Sequence, residues 1–343
     1  MADARMDRRK SLQTAIAALV GVARMDSCST AAEFEPFDGQ VPPDDATADE
    51  SVDVVVPETG TPTLGGIQFW GDVAFLRNWK IQQNAFTGDY RLLDPDNNRF
   101  GSGTREHCEA LLHAVRKKRK LTADTGRAVI LIHGIGRSSR SFSRMQRVFR
   151  ADGYVVVPFE YPSTRVSLER SAELLSAVLQ SVDGVTSIDF VVHSMGGLVV
   201  RACLQRGEDD RFHRMVMLGT PNRGAEIADL LQRTTLFKLI YGPAGQELVT
   251  GADDIISRLP VPRFEFGVIA GGNGTVRGYN PLLPGDNDGT VTVESARLSG
   301  AADFLRVPRL HSLLMNDDQV VAATRHFLKH GRFDPDRPRA PVP

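Results

Sequence analysis

Ser194 is the residue whose setting first suggests chemistry. It stands in His193-Ser194-Met195-Gly196-Gly197, directly after the apolar run Ile188-Asp189-Phe190-Val191-Val192 and before a helical pattern. A serine on a sharp strand-to-helix turn has its hydroxyl open to a substrate and to a base, and the helix N-terminus favours developing negative charge. Gly196 and Gly197 allow the turn and the following helix to approach their neighbours closely. A serine hydroxyl alone is a weak nucleophile and needs an adjacent base. Thiol chemistry fits less well. Cys28, Cys108 and Cys203 lie far apart, without a CxxC spacing, and none stands on such a turn. The same scatter argues against a disulfide framework or a zinc knuckle.

The elements that must hold Ser194 begin at residue 127. Residues 128–132, 154–159, 188–192, 215–218, 264–269 and 304–307 read as strands, and 141–150, 168–181, 195–205 and 318–329 as helices. Nearly all-apolar strands separated by helices predict an α/β fold with a doubly wound, mostly parallel sheet covered on both faces. The interval 221–262 breaks this alternation with a helical stretch and then Gly and Pro punctuation. An insertion there would lie over the ligand crevice and act as a helical lid. Residues 66–126 carry Trp70, Phe75, Trp79, Phe86, Tyr90 and Phe100, which predicts a packed aromatic and helical extension leaning on the main domain. Its helix, 106–118, ends in Arg116-Lys117-Lys118-Arg119-Lys120, a solvated end that complements the helix dipole.

Several stretches together resemble the lipase-like branch of the α/β-hydrolase superfamily, over residues 127–330. The turn at Ser194 resembles the nucleophile elbow G-x-S-x-G, with Val192 in place of the first glycine. His133-Gly134-Ile135-Gly136, after the first strand, is similar to the His-Gly-x loop that supplies one oxyanion-hole donor. Met217-Leu218-Gly219-Thr220-Pro221-Asn222-Arg223-Gly224 looks like the L-G-T-P-x-x-G stretch after a later strand. Asp286-Asn287-Asp288-Gly289-Thr290-Val291 resembles the N-D-G-x-V loop that carries the acid, and His311 follows in Arg309-Leu310-His311-Ser312-Leu313. The resemblance implies a triad of Ser194, Asp288 and His311 in the chain order of that superfamily. It implies an oxyanion hole formed by the backbone N–H groups of Ile135 and Met195. Asp286 is the main rival acid, and Asp253 and Asp254 are weaker ones. His133 and His193 lie beside their motifs and read as structural. The implied activity is cleavage of carboxylic esters by a serine acyl-enzyme mechanism. Acyl transfer or thioester hydrolysis with the same triad is the alternative, and a non-catalytic binding protein on this scaffold is the third reading. Secreted lipases of this branch carry a calcium-ligating aspartate two residues after the histidine. Here that residue is Leu313, so no metal and no cofactor is expected.

The chain has 343 residues, with Lys+Arg 41 against Asp+Glu 42 and a net charge of -1. Without a basic excess, a nucleic-acid partner is not expected. The implied partners are a small ester or lipid substrate and a transient contact with a lipid surface, and the oligomeric state is left open. The neutral balance hides an uneven chain. No Lys or Arg occurs from Met25 to Leu76, where acidic residues and prolines accumulate. Residues 25–65 therefore read as a disordered acidic linker. Residues 1–24, with Arg8-Arg9-Lys10 before a short apolar run, read as an export signal or an amphipathic helix. The weak apolar run favours the helix and a cytoplasmic chain over export. Residues 331–343 form a tail rich in Pro and Arg.

Overall fold

The computed structural model describes residues 57–63, 67–223 and 256–343. The amphipathic or signal segment 1–24, most of the acidic linker and most of the lid-like insertion lie outside the described residues. Residues 57–63, assigned to the linker by composition, are described. There Thr61 exchanges backbone hydrogen bonds with Arg99, at 2.8 and 2.7 Å.

The extension begins with four strands that pair antiparallel in chain order: β1 (Trp70–Leu76), β2 (Trp79–Asn84), β3 (Tyr90–Leu93) and β4 (Arg99–Gly103). This sheet was not foreseen from the aromatic pattern. β1 and β2 are joined through Arg77 and Asn78, both at positive φ (50° and 67°), and Leu76 pairs with Trp79. Two left-handed residues give the primed turn whose twist suits a tight hairpin. Alternation along β2 then divides the sheet's two faces. Trp79 and Ile81 join Leu92 and Phe100 in an apolar cluster with Cys108, Leu111 and Val115 of helix α1 (Arg105–Arg119). Lys80 and Gln82, with Asp72 and Arg91, form a buried polar group. Helix α1 lies so close to β4 that a Cβ on Gly101 would stand 2.4 Å from Leu111 Cδ1's partner methyl, Cδ2.

The second sheet has six parallel strands: β5 (Gly126–Ile132), β6 (Val155–Phe159), β7 (Val185–His193), β8 (Phe212–Leu218), β9 (Glu265–Gly271) and β10 (Asp303–Val307). Its order is β10-β9-β8-β7-β5-β6. Successive side chains enter opposite cores. Ile130, Ile132, Phe190, Val192, Met215 and Met217 pack with α3 (Leu168–Ser181) and α4 (Met195–Leu204). Val129, Leu131, Val191, Val216, Leu218 and Ile269 pack with α2 (Ser143–Ala151) and α6 (Asp318–His330). Both faces being covered is why these strands lack polar alternation.

The tail is part of this body. Phe333 and Val342 are buried. Val342 bonds through its backbone to Gly300 and Ala301, at 2.9 and 3.0 Å. Arg337 and Arg339 pair with Asp303 and Glu265. No helix among the described residues is long and apolar enough to cross a membrane.

Candidate active site

The chain passes from β5 outward to β6 and then returns to the other side of β5 as β7. The crevice beyond the carboxyl ends of β5 and β7 is therefore a topological switch point, where open α/β sheets bind ligands. Ile132 and Val192 pair near the ends of these strands, so the residues that follow them emerge side by side.

Ser194 leaves β7 with φ 53° and ψ −125°. A non-glycine residue in such a region costs about 1–3 kcal/mol and persists only when its surroundings fix it. Its N–H donates to Leu218 O at 2.9 Å, and its carbonyl accepts from Gly197 N at 3.1 Å. Close approach fixes the rest. A Cβ on Gly196 would stand 2.5 Å from Ile132 O, and one on Gly197 would stand 2.4 Å from Thr220 Oγ1. One on Gly134 would meet His193 Nδ1 at 2.8 Å and the Ser194 Cβ at 2.9 Å. Val192, which replaces the elbow's first glycine, is fully buried in the core beside α3 and α4, so its side chain has a place.

The loop before the one-turn helix α5 (Val293–Ala296) carries Asp288. Asp288 is 1% exposed, and its Oδ1 accepts from the backbone N–H groups of Thr290 at 2.9 Å and Val291 at 2.7 Å. Its Oδ2 lies 2.7 Å from His311 Nδ1, and its carbonyl accepts from His311 N at 2.9 Å. The carboxylate thus places a proton on Nδ1 and leaves Nε2 as the acceptor. Asp286 points elsewhere. Its oxygens accept from Asn273 N and Gly274 N, and Arg306 lies 3.7 Å away. Asp253 and Asp254 lie outside the described residues.

Two contributors, Asn287 and Gly219, were not singled out by the sequence, and a third, His193, was read only as structural. Asn287 is fully buried and ties the loop together, accepting from Asn280 N and Gly289 N and donating to Asn280 O and Gly285 O. The Asp-Asn-Asp-Gly run is the signal that could have exposed it, since Asx side chains commonly bond nearby backbone. Gly219 permits close packing, since a Cβ there would lie 3.0 Å from His311 Nδ1 and 3.1 Å from Asp288 Oδ2. His193 donates from Nε2 to His311 O at 3.0 Å, and the two rings lie 4.5 Å apart. Burial, then the nearby charges of His311 and Arg137, hold the His193 pKa well below its ordinary range, so this ring is neutral.

The two expected oxyanion donors stand on the segments that Gly134 brings together. Met195 is the first residue of α4, so its N–H has no acceptor within the helix. Ile135 lies in the turn closed by Arg137 N donating to Gly134 O at 3.3 Å. Cys108 and Cys203 are both buried free thiols, and burial pushes them up to about 11 and about 12. Such thiols are poor nucleophiles.

The sheet order, the serine on a positive-φ turn after β7, and an acid–histidine pair supplied from after β9 and β10 decide the fold class. The fold is that of the α/β-hydrolases. A family model described as a domain of unknown function (DUF7379) matches residues 101–252. No curated protein matches the chain in sequence. Among solved structures, a Bacillus licheniformis lipase, BlEst2 in its propeptide form, is similar at 20% identity and a TM-score of 0.48. That match covers 62% of this chain and 52% of the lipase, so it spans about half of that protein's length. Aspergillus fumigatus lipase B is similar at 14% identity and a TM-score of 0.44, covering 62% of this chain and 55% of that one. A thermophilic esterase of Thermogutta terrifontis matches at 18% identity and a TM-score of 0.39, covering 60% and 91%.

Proposed function

We propose that the protein is a serine hydrolase that cleaves carboxylic esters, lipase or esterase in class. The observation that carries this reading is the 2.7 Å contact from Asp288 to His311 Nδ1, which frees Nε2 to act as a base in the crevice where Ser194 stands. In this reading, His311 Nε2 takes the proton as Ser194 Oγ attacks the ester carbonyl. The N–H groups of Ile135 and Met195 receive the developing oxyanion, where one such donor is worth about 2.7–4 kcal/mol. Collapse expels the alcohol, which takes the proton from His311. Water, activated by the same ring, then attacks the acyl-serine and releases the free acid.

Apolar side chains exposed around the pair support an ester with an apolar acyl chain or a lipid as substrate. Leu310 and Leu313 flank His311 and are 41% and 51% exposed. Tyr279 and Leu282, close in sequence to Asn287, are exposed as well. A p-nitrophenyl ester series of increasing chain length tests both the chemistry and the preference. Ser194→Ala is expected to abolish turnover while the melting midpoint stays that of a folded protein. Full activity in that variant would refute the reading. An added alcohol, with free acid as the only product, separates hydrolysis from acyl transfer.

A further inference from the structure

The hydrolase motifs leave the β1–β4 extension without a task, yet two separate sets of contacts join it to the turn that carries Ile135. The first is a ring of hydrogen bonds. Gln68, in the single turn before β1, donates from Nε2 to Arg137 O at 2.7 Å. Its Oε1 accepts from Ser163 Oγ at 3.2 Å and from Thr164 Oγ1 at 3.2 Å. Ser163 Oγ in turn accepts from Gly136 N at 3.0 Å. The carbonyl of Arg137 is thereby held by a side chain of the extension, and the N–H of Gly136 by Ser163, whose hydroxyl donates to that same side chain.

The second set lies beneath the turn. Asp72 of β1 donates from its N–H to Glu160 O at 2.9 Å, and its Oδ2 accepts from Glu160 N at 2.8 Å. Glu160 follows β6, and its Oε2 stands 3.3 Å from His133 Nε2, while Oε1 accepts from Ser139 N at 3.0 Å. Burial opposes ionisation of Glu160, but His133 and Ser139 outweigh it and hold the carboxyl below the usual range. The His133 ring donates from Nδ1 to Gly134 O at 2.8 Å, and Tyr161 donates from its hydroxyl to His133 O at 2.8 Å. His133 thus bonds the first carbonyl of the turn, and Gln68 bonds the last.

The turn needs such support. Ile135 stands between two glycines, with Gly136 at φ 63°, and its closing hydrogen bond is 3.3 Å long. Glycines keep the most backbone freedom, and a misplacement of about 1 Å near the reacting atoms can cost about 100-fold. From this geometry we infer that the N-terminal extension positions the oxyanion turn, with Gln68 and Ser163 as positioning residues that act through Gly136 and Arg137. The inference rests on the serine-hydrolase reading, in which Ile135 N–H receives the oxyanion.

Gln68→Met tests it. The substitution keeps the side-chain length and removes both the donor and the acceptor, and Ser163→Ala removes the acceptor of Gly136 N as an independent cut. Each is expected to lower kcat on a p-nitrophenyl ester by about 10-fold, with KM within about twofold. Inhibition by an alkylboronic acid, which presents a tetrahedral centre to the same donors, is expected to weaken by the same factor as kcat/KM. A variant that merely lost some folded protein would show a lower apparent kcat and an unchanged boronate inhibition constant. That result, or unchanged kcat in both variants, would overturn the positioning role. Ser194→Ala run alongside keeps the two ideas apart. Turnover that survives Ser194→Ala removes the hydrolase reading itself. Turnover lost there but unaltered by Gln68→Met and Ser163→Ala removes only the role of the extension.

Discussion

His193 touches both halves of the crevice. Its ring packs on His311, its Nε2 holds the His311 carbonyl, and its Nδ1 lies where a Cβ on Gly134 would meet it. The groups facing it are His311, Arg137 and His133, all basic, and burial adds to their effect. Its folded pKa is depressed, so below the ordinary value of 6.5 the unfolded chain takes up a proton that the folded one does not. The stability this ring contributes is complete above pH 6.5 and falls as the pH drops below it. The melting midpoint of the wild type is expected to decline from about pH 6.5 downward, and His193→Gln, which retains a donor, is expected to flatten the first part of that decline. Identical acid limbs for the two proteins would contradict this. As candidates, Ser194, Asp288 and His311 were legible because each sits in a short local pattern. His193 was read only as structural, and its particular partner was hidden because that partner is a main-chain carbonyl far along the chain.

At the level of elements, the approach of α4 to its neighbours sets the serine turn. Gly197 faces Thr220, which is fully buried and has little room to withdraw. Gly197→Ala is expected to cost about 1–3 kcal/mol by overpacking, read as a lower midpoint in urea unfolding, with part of the loss recovered in Gly197→Ala/Thr220→Gly. An unchanged midpoint in the single variant would show that the contact is not tight. The six parallel strands were readable because burial on both faces made them uniformly apolar. The antiparallel strands β1–β4 escaped the sequence reading for the opposite reason. Lys80, Gln82, Asp72 and Arg91 are buried polar side chains, and Gln82 links Asp72 to Arg91 through hydrogen bonds of 2.7 to 2.9 Å. Along β2 the residues do alternate, Trp79 and Ile81 against Lys80 and Gln82, but because the second face buries polar groups these short strands lack the uniformly apolar run that marked the others. The tail was read only by its Pro and Arg content, and its attachment to the body comes from long-range partners, Arg337 and Arg339 being paired and Phe333 and Val342 buried.

Across the whole molecule, segments far apart in sequence meet at one switch point of the parallel sheet. The turn after β5 brings Ile135, the elbow after β7 brings Ser194 and Met195, and the loops around β10 bring Asp288 and His311. The β1–β4 extension braces the first of these through Gln68 and Asp72. The central claim is that this assembly makes Ser194 a nucleophile, where an ordinary serine hydroxyl is inert. Labelling of the folded protein with a fluorophosphonate, followed by mass spectrometry of its peptides, tests that claim most directly. The account predicts one adduct, on Ser194, that is absent in Ser194→Ala and forms at least about 100-fold more slowly in His311→Gln. Labelling at another residue, or an unlabelled Ser194 in a protein that hydrolyses esters, would contradict it.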